Sequence, residues 1–161
     1  MILQYFVSKE NRHKDIAEDI YKSILSKSNL FIKQNDFFFK KDYNTSFEVV
    51  SIFLIFYMKF NINNKISNYS LINDQIIATF INDLDESLRI KGIGDMSMGK
   101  YVKSYVKKFY FRLKKFPDIE NNYKENYVDY LKLLKLTKED MYLEASEKLN
   151  DEFIQISKQY K

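Results

Sequence analysis

The sequence predicts an all-α protein, a single compact helical domain of about six helices with a central apolar helix. First, the 161 residues include only three Gly and one Pro, whereas all-β folds need many turns that these residues supply. Second, apolar residues recur at helical spacing along most of the chain. Third, an apolar segment at residues 49–60 is too short to span a membrane and is typical of a buried helix.

Apolar spacing and end signals place the helices along the chain. Thr45 and Glu48 have the spacing of a capping box, in which each side chain bonds a free backbone N–H at a helix start. Ser70 can cap the third helix, Gly92 is expected to end it in a left-handed conformation, and Pro117 marks the end of the fourth. The expected helices cover residues 15–27, 45–60, 71–91, 95 or 97 to 116, 122–135 and 137–160.

Other local signals are less regular. Residues 29–44 are expected to be irregular and to lie partly over the core, because Phe31, Phe37, Phe38 and Phe39 occur there among polar residues. Asp95 or Ser97 can cap the fourth helix, and Thr137 with Asp140 can cap the sixth. With no repeat and no clear linker in the sequence, we expect one domain over residues 1–161.

Composition argues against an enzyme. Cys is absent and His13 is the only histidine, so a thiol nucleophile, a disulfide and a Cys/His metal site are excluded. Asp83 and Asp85 would point about 160° apart on a helix, so they cannot chelate one ion, whereas Asp83 and Glu86 share a face and keep a metal site open. We predict no catalytic residue, no cofactor and no metal. The start of the chain lacks the pattern of a signal peptide.

All three glycines lie in the segment KGIGDMSMGK, residues 91–100. Gly permits a positive φ and a close approach between two backbones. One interpretation is a tight turn between helices with close packing at Gly99. The other is a recognition loop that presents Asp95 on a rigid turn. A phosphate loop is disfavoured because the spacing differs from the known glycine motifs.

The helix after this segment is amphipathic, and all the charged residues on its polar side are basic. Between Asp95 and Asp118 there is no acidic residue. Phe111 falls within the basic face. Three interpretations stay open: an ordinary solvated face, an anionic partner such as lipid or RNA, and pairing with the acidic third helix of the same chain. The bases are Lys100, Lys103, Lys107, Lys108, Arg112, Lys114 and Lys115.

Residues 80–113 carry a longer pattern, FINDLDESLRIKGIGD followed by MSMGKYVKSYVKKFYFRL. This segment resembles the signature of the ubiquinol–cytochrome c reductase (cytochrome bc1) assembly chaperones, and the chain looks like a divergent bacterial-type member. The family-like core covers about residues 15–116, with additional C-terminal helices at 117–161. The matching residues are Phe80, Asp83, Asp85, Leu88, Arg89, Gly92, Gly94, Asp95, Lys100, Val102, Lys103, Phe109, Tyr110 and Arg112.

The resemblance implies a non-enzymatic assembly factor for the cytochrome bc1 complex, one that binds newly made cytochrome b at the membrane or the ribosome. It also implies a small helical partner protein and a cytoplasmic location, peripheral on the inner membrane. The residues expected to contact partners are Asp83, Asp85, Arg89, Gly92, Gly94, Asp95, Lys100, Lys103, Lys107, Lys108, Phe111 and Arg112.

Two other functions are left open by the residues. The basic helix suits a module that binds RNA, the ribosome or an anionic membrane without a role in bc1 assembly. The abundance of Phe and Tyr, with Asp83 and Glu86 as the acids, would suit an enzyme that acts on a lipid in an aromatic pocket.

Overall fold

The computed structural model describes residues 2–119 and 124–160, with side chains for 12–119 and 125–160. The described residues form six α-helices and no β-strand, which confirms the all-α prediction. The helices are α1 (Ile2–Gln34), α2 (Tyr43–Asn63), α3 (Tyr69–Ile90), α4 (Asp95–Lys115), α5 (Lys124–Leu134) and α6 (Tyr142–Gln159), with a short 3₁₀ helix at Glu139–Met141.

The chain divides into two compact units. Unit 1 contains the chain up to Ser23 together with Ile66–Phe111, and unit 2 contains Ile24–Lys65 together with the chain from Arg112 onward. Because α1 and α4 each contribute residues to both units, the division does not follow helix ends. The single domain over residues 1–161 stays a prediction.

The core of unit 2 is built on α2, the predicted central apolar helix. Of its 21 residues, 15 are buried. By length and composition the whole of α2 could cross a membrane, because the helix extends beyond the apolar segment at residues 49–60 on both sides. However, 83% of its apolar window is buried inside the structure, as in the core helix of a globular fold.

Aromatic rings from three helices of unit 2 and from the segment after α4 meet at Phe153 of α6. The rings of Phe153 and Phe56 are stacked, with centroids 3.9 Å apart. Phe53 of α2, Phe116 beyond α4 and Tyr127 of α5 lie 5.2–6.1 Å from Phe153 between ring centroids. Such rings bury large apolar areas, so this cluster joins the helices of the unit.

The core of unit 1 contains a smaller cluster around Phe80 of α3. Its ring lies 5.0 Å from that of Phe109 on α4 and 6.4 Å from that of Tyr21 on α1. All three residues are buried. The apolar sides of α3 and α4 predicted by helical spacing therefore face each other in the core.

The start of α2 differs from the prediction. Asp42 is the N-cap, and its Oδ1 accepts a hydrogen bond from the Thr45 backbone N–H at 3.0 Å. That bond lowers the pKa of Asp42. The capping box of Thr45 and Glu48 is wrong, because the Glu48 carboxylate is buried and pairs with Arg112.

The cap predictions for α3 and α4 are also wrong. Asn68, with φ +59°, is the residue before α3 and makes no side-chain capping bond. Ser70 lies inside the helix, which begins at Tyr69. Gly94 precedes α4, and its carbonyl accepts from the backbone N–H of Ser97 at 3.0 Å. Asp95 is the first residue of α4.

The start of α6 is displaced by a short backbone pairing. Thr137 is buried and forms an isolated antiparallel bridge with Phe38. The chain then passes through the 3₁₀ helix, and α6 begins at Tyr142, so the Thr137 and Asp140 cap is wrong. In the predicted fifth helix, residues 122 and 123 lie outside the described residues.

The first helix is longer than predicted. It continues through residues 28–34, where Phe31 and Ile32 are buried and the Ser28 hydroxyl donates to the Ile24 carbonyl at 2.8 Å. Part of the segment expected to be irregular is therefore helical, because the inward spacing of Ile24, Ser28 and Phe31 continues that of the earlier turns.

Candidate functional site

The turn between α3 and α4 closes as a Schellman motif. Gly92 has φ +90°, and its N–H donates to the Arg89 carbonyl at 2.9 Å. The Ile93 N–H donates to the Leu88 carbonyl at 3.1 Å. These two bonds satisfy carbonyls at the helix end that would otherwise have no partner. The prediction that Gly92 ends the third helix in a left-handed conformation is confirmed by this geometry.

Arg89 connects the two sides of the turn. Its Nε donates to Asp85 Oδ2 at 2.7 Å on the same helix, and its Nη1 contacts the Asp95 carboxylate on the first residue of α4. The hydrogen bond to Asp85, followed by the one to Asp95, raises the pKa of Arg89. The planar guanidinium suits such a two-sided contact and connects the end of α3 with the start of α4.

Asp83 is held inside unit 1. The Tyr21 hydroxyl donates to Asp83 Oδ2 at 2.5 Å, and Tyr21 itself is buried on α1. Three of the acids predicted to contact a partner, Asp83, Asp85 and Asp95, therefore have partners within the same unit. Their observed contacts hold α1, α3 and the start of α4 together.

One face of α4 in unit 1 presents three lysines to solvent. Lys100, Lys103 and Lys107, here called the lysine row, are separated by three and four residues and share one side of the helix. All three are exposed, and within the described ranges 12–119 and 125–160 none makes an ion pair or a side-chain hydrogen bond. Pairing of these three lysines with the acids of α3 is not observed.

Aromatic and apolar side chains extend the face of the lysine row. Tyr110 and Phe111 follow the row on the same side of α4 and are 47% and 46% exposed. Met96 precedes it and is completely exposed. The opposite side of the helix contributes the buried residues Met98 and Phe109. The face is therefore basic in the middle and apolar at both ends.

The other two glycines lie at open positions. A Cβ placed on Gly94 or Gly99 would meet no atom within 4 Å, so the predicted close packing at Gly99 is wrong. Neither residue has a positive φ. Gly99 also lies inside α4, where Gly destabilises a helix relative to Ala. The folded chain therefore does not itself require Gly at position 99.

Arg112 does not belong to the exposed basic face. Its Nε and Nη2 donate to Glu48 Oε2 and Oε1 at 3.0 and 2.9 Å, a bidentate pair inside unit 2. The side chains are 12% and 1% exposed. This pair was not predicted from the sequence, although an acid in an otherwise apolar helix is a signal that Glu48 needs a buried partner.

The described residues give no support to an enzyme site. No group of three or more His, Cys, Asp or Glu among them has the geometry to hold a metal ion. A groove of about 390 Å³ in unit 2 is lined by polar and acidic side chains. Phe31 is the one aromatic residue among those lining it. This groove does not have the aromatic lining expected of a lipid-binding pocket.

Fold and surface together define a helical protein with an exposed basic face on α4. The sequence matches the model of the ubiquinol-cytochrome C chaperone family over residues 35–125, more than half of the chain. The chain belongs to this family. The recognition made from residues 80–113 is thus confirmed, and family membership supports a role in assembly of the bc1 complex. Because the family is one of chaperones, the prediction of a non-enzymatic protein is also confirmed.

The fold is similar to that of a solved structure. The crystal structure of the Cbp3 homolog from Brucella abortus matches with a TM-score of 0.71 and 21% sequence identity, covering 98% of this chain and 88% of that one. At that identity the likeness concerns the fold alone. No curated protein sequence matches the chain significantly.

Proposed function

We propose that this chaperone binds newly made cytochrome b during assembly of the bc1 complex, and that the lysine row with the adjoining turn forms the contact. It acts at the cytoplasmic face of the inner membrane, close to the ribosome that makes the client, together with a small helical partner protein. The observation that carries the proposal is the lysine row, an exposed run of like charges in a member of a bc1 chaperone family.

Like charges three and four residues apart on a helix repel one another and destabilise it slightly. A solvated face commonly avoids this cost by mixing the two signs. The lysine row has no compensating acid among the described residues, so an external anionic group would stabilise it. Client segments or lipid and RNA phosphates present where a membrane protein is made would supply such groups.

The open glycines support a close contact beside the row. Without a side chain at position 99, a partner backbone or helix can approach the exposed surface of α4 closely. The contact between Arg89 and Asp95 fixes the turn next to this position. An uncovered helix start with a hydrogen-bonded turn before it and lysines after it suits recognition of a partner segment.

The test is capture of the client from gently solubilised membranes by the tagged chain. The variant K100A/K103A/K107A removes the lysine row without touching a buried residue. The matched control, K22A/K33A/K158A, removes the same charge at exposed helical positions elsewhere. We expect wild type and control to recover cytochrome b and the row variant to lose most of it. Equal recovery by all three proteins would exclude the row as the contact.

Loss of the gene provides an independent test of the client. The proposal expects a deletion strain to contain less assembled cytochrome b with an unchanged transcript. A normal content of bc1 complex in that strain would contradict the assembly role itself, whatever the row binds.

A second candidate function is binding of RNA or the ribosome without a role in bc1 assembly. Exposed Tyr110 and Phe111 beside the lysine row favour it, since aromatic rings stack on unpaired bases and lysines contact phosphates. Its signature is binding to purified ribosomes that weakens steeply with salt. Recovery of ribosomal proteins without cytochrome b would favour this function over the first.

A further inference from the structure

The two most exposed large apolar side chains among the described residues flank the same turn. Ile90, the last residue of α3, is 87% exposed, and Met96, the second residue of α4, is completely exposed. The next in order is Leu143, at 60%. Single exposed apolar residues are common on soluble proteins, but these two are separated by only five residues, and one hydrogen-bonded turn presents them together.

Nothing in the turn shields these side chains. Gly92 and Gly94 carry no side chain, and a Cβ at either position would meet no atom within 4 Å. The Schellman bonds and the contact between Arg89 and Asp95 hold the backbone in place. Because Asp95 is paired with Arg89, its charge is partly offset at this end of unit 1.

We propose that this turn inserts Ile90 and Met96 into the surface of an anionic bilayer while the lysine row contacts lipid phosphates. Met96 and the lysine row lie on one side of α4, so a flat anionic surface can meet both together. Apolar side chains gain free energy on leaving water for the acyl boundary, and lysines are attracted to anionic headgroups. The inference goes beyond the proposed function, because it requires no client.

Lipid fits this surface better than RNA does at the turn. Ile and Met are aliphatic and give no flat ring on which a base could stack, and RNA-binding proteins use aromatic and basic side chains for that contact. Insertion also explains why two apolar side chains remain in water in the free protein. RNA binding without membrane binding is therefore an outcome that would overturn the inference.

The first test is sedimentation of the purified full chain with vesicles. We compare vesicles of phosphatidylcholine alone with vesicles made of equal amounts of phosphatidylcholine and phosphatidylserine. We expect binding to the anionic vesicles only. Each lysine near an anionic leaflet contributes about fivefold, so K100A/K103A/K107A should bind about a hundredfold more weakly. I90S/M96S should lose at least about tenfold, whereas the matched control L30S/L143S should bind as wild type does.

The second test reports insertion directly. Because the chain has no Cys, M96C can be labelled at a single site with a dye whose emission shifts to the blue in an apolar environment. We expect a blue shift with anionic vesicles for M96C and none for the control L143C. Equal binding of I90S/M96S and wild type, or no shift for M96C, would overturn insertion.

The outcomes separate this inference from the proposed function. If I90S/M96S fails to bind vesicles but still captures cytochrome b from detergent, both stand. If wild type fails to bind anionic vesicles yet captures cytochrome b, the membrane inference is overturned and the client proposal is retained. Binding to RNA but not to vesicles overturns the inference in favour of the RNA-binding function.

Discussion

Arg112 and Glu48 form a bidentate ion pair inside unit 2, across 64 positions of sequence, with donor–acceptor distances of 2.9 and 3.0 Å. Glu48 lies in the apolar helix α2, and Arg112 in the last turn of α4. The Arg112 carbonyl also accepts a hydrogen bond from the Tyr130 hydroxyl at 3.3 Å. The pair thus joins α2, α4 and α5 at one buried point.

The first prediction concerns removal of one partner of this pair. R112A leaves the Glu48 carboxylate buried without its guanidinium, and breaking a buried pair in this way costs about 3–5 kcal/mol. We expect the free energy of unfolding in urea to fall by that amount. E48A should cost a similar amount, and the double variant should cost less than the two single variants added together.

The matched control is R89A, which removes an exposed Arg that also pairs with two acids. Exposed ion pairs contribute little because water and salt screen them, so R89A should change the unfolding free energy much less than R112A. A loss in R112A no larger than that in R89A would mean that the buried pair contributes no more to stability than the exposed pairs of Arg89 do.

The second prediction concerns alkaline pH. Burial raises the pKa of Tyr127 and of Tyr130, and for Tyr130 the nearby Glu48 charge raises it further. Above about pH 10 the unfolded chain loses these protons while the folded chain keeps them. The contribution of these two tyrosines to the free energy of unfolding is therefore fully present below that pH, and it falls as the pH rises toward the folded-state pKa.

Urea unfolding at about pH 9 and about pH 11 measures this effect. Each tyrosine that stays protonated in the folded state lowers the free energy of unfolding by up to about 1.4 kcal/mol for each pH unit. Y127F lacks one of the two groups, so it should lose less stability than wild type over that interval. Y43F, which removes the hydroxyl of a half-buried tyrosine at the start of α2, is the control. Equal losses in wild type and Y127F would contradict the prediction.

Periodicity and composition were sufficient for the parts of the fold that depend on neighbouring residues. The apolar helix α2 follows from its continuous apolar composition, and the basic face of α4 follows from residue spacing. Gly92 could be placed because a left-handed helix end strongly favours Gly. Predicting these features does not require any contact between residues that are far apart in the sequence.

Contacts between distant residues explain the errors. Glu48 has the local spacing of a capping box, yet its partner is 64 residues away. Thr137 has the spacing of a helix cap, yet its segment pairs with the segment of Phe38 instead, where the Lys138 N–H donates to the Phe37 carbonyl at 2.9 Å. Similarly, the sequence near Ile90 does not show whether an apolar residue at the end of a helix is buried, so its exposure could not be predicted.

The third prediction concerns the cap of α2. D42A removes the acceptor of the Thr45 N–H and should cost about 1 kcal/mol at neutral pH, whereas D42N retains an acceptor and should cost less. The lowered pKa of Asp42 means that its charge contributes stability at neutral pH, and this is lost as the pH falls through that pKa. The charge contribution is small, because Asp42 is exposed and screened.

Urea unfolding at neutral and at acid pH tests the cap. The control D74A removes an exposed acid inside α3 and should leave stability nearly unchanged. The result against the prediction would be a D42A protein as stable as D74A, which would mean that Asp42 does not cap the helix in solution.

The last prediction contrasts two glycines with different physical requirements. Gly92 has φ +90°, a conformation that costs an L-residue about 1–2 kcal/mol, so G92A should lower the free energy of unfolding by that amount. Gly99 lies inside α4 with open space around it, so G99A should raise the unfolding free energy by about 0.5–1 kcal/mol. Urea unfolding of both variants measures the two opposite signs.

The stabilised variant then reports on the function of Gly99. If position 99 is bare so that a partner can approach closely, G99A should be more stable than wild type and yet recover less cytochrome b from solubilised membranes. S104A, an exposed position on the same helix, is the control for client capture. Unchanged capture by a more stable G99A would show that no partner approaches the helix at this position, because the added methyl group would occupy the contact. A less stable G99A would instead mean that the space around Gly99 is filled in solution.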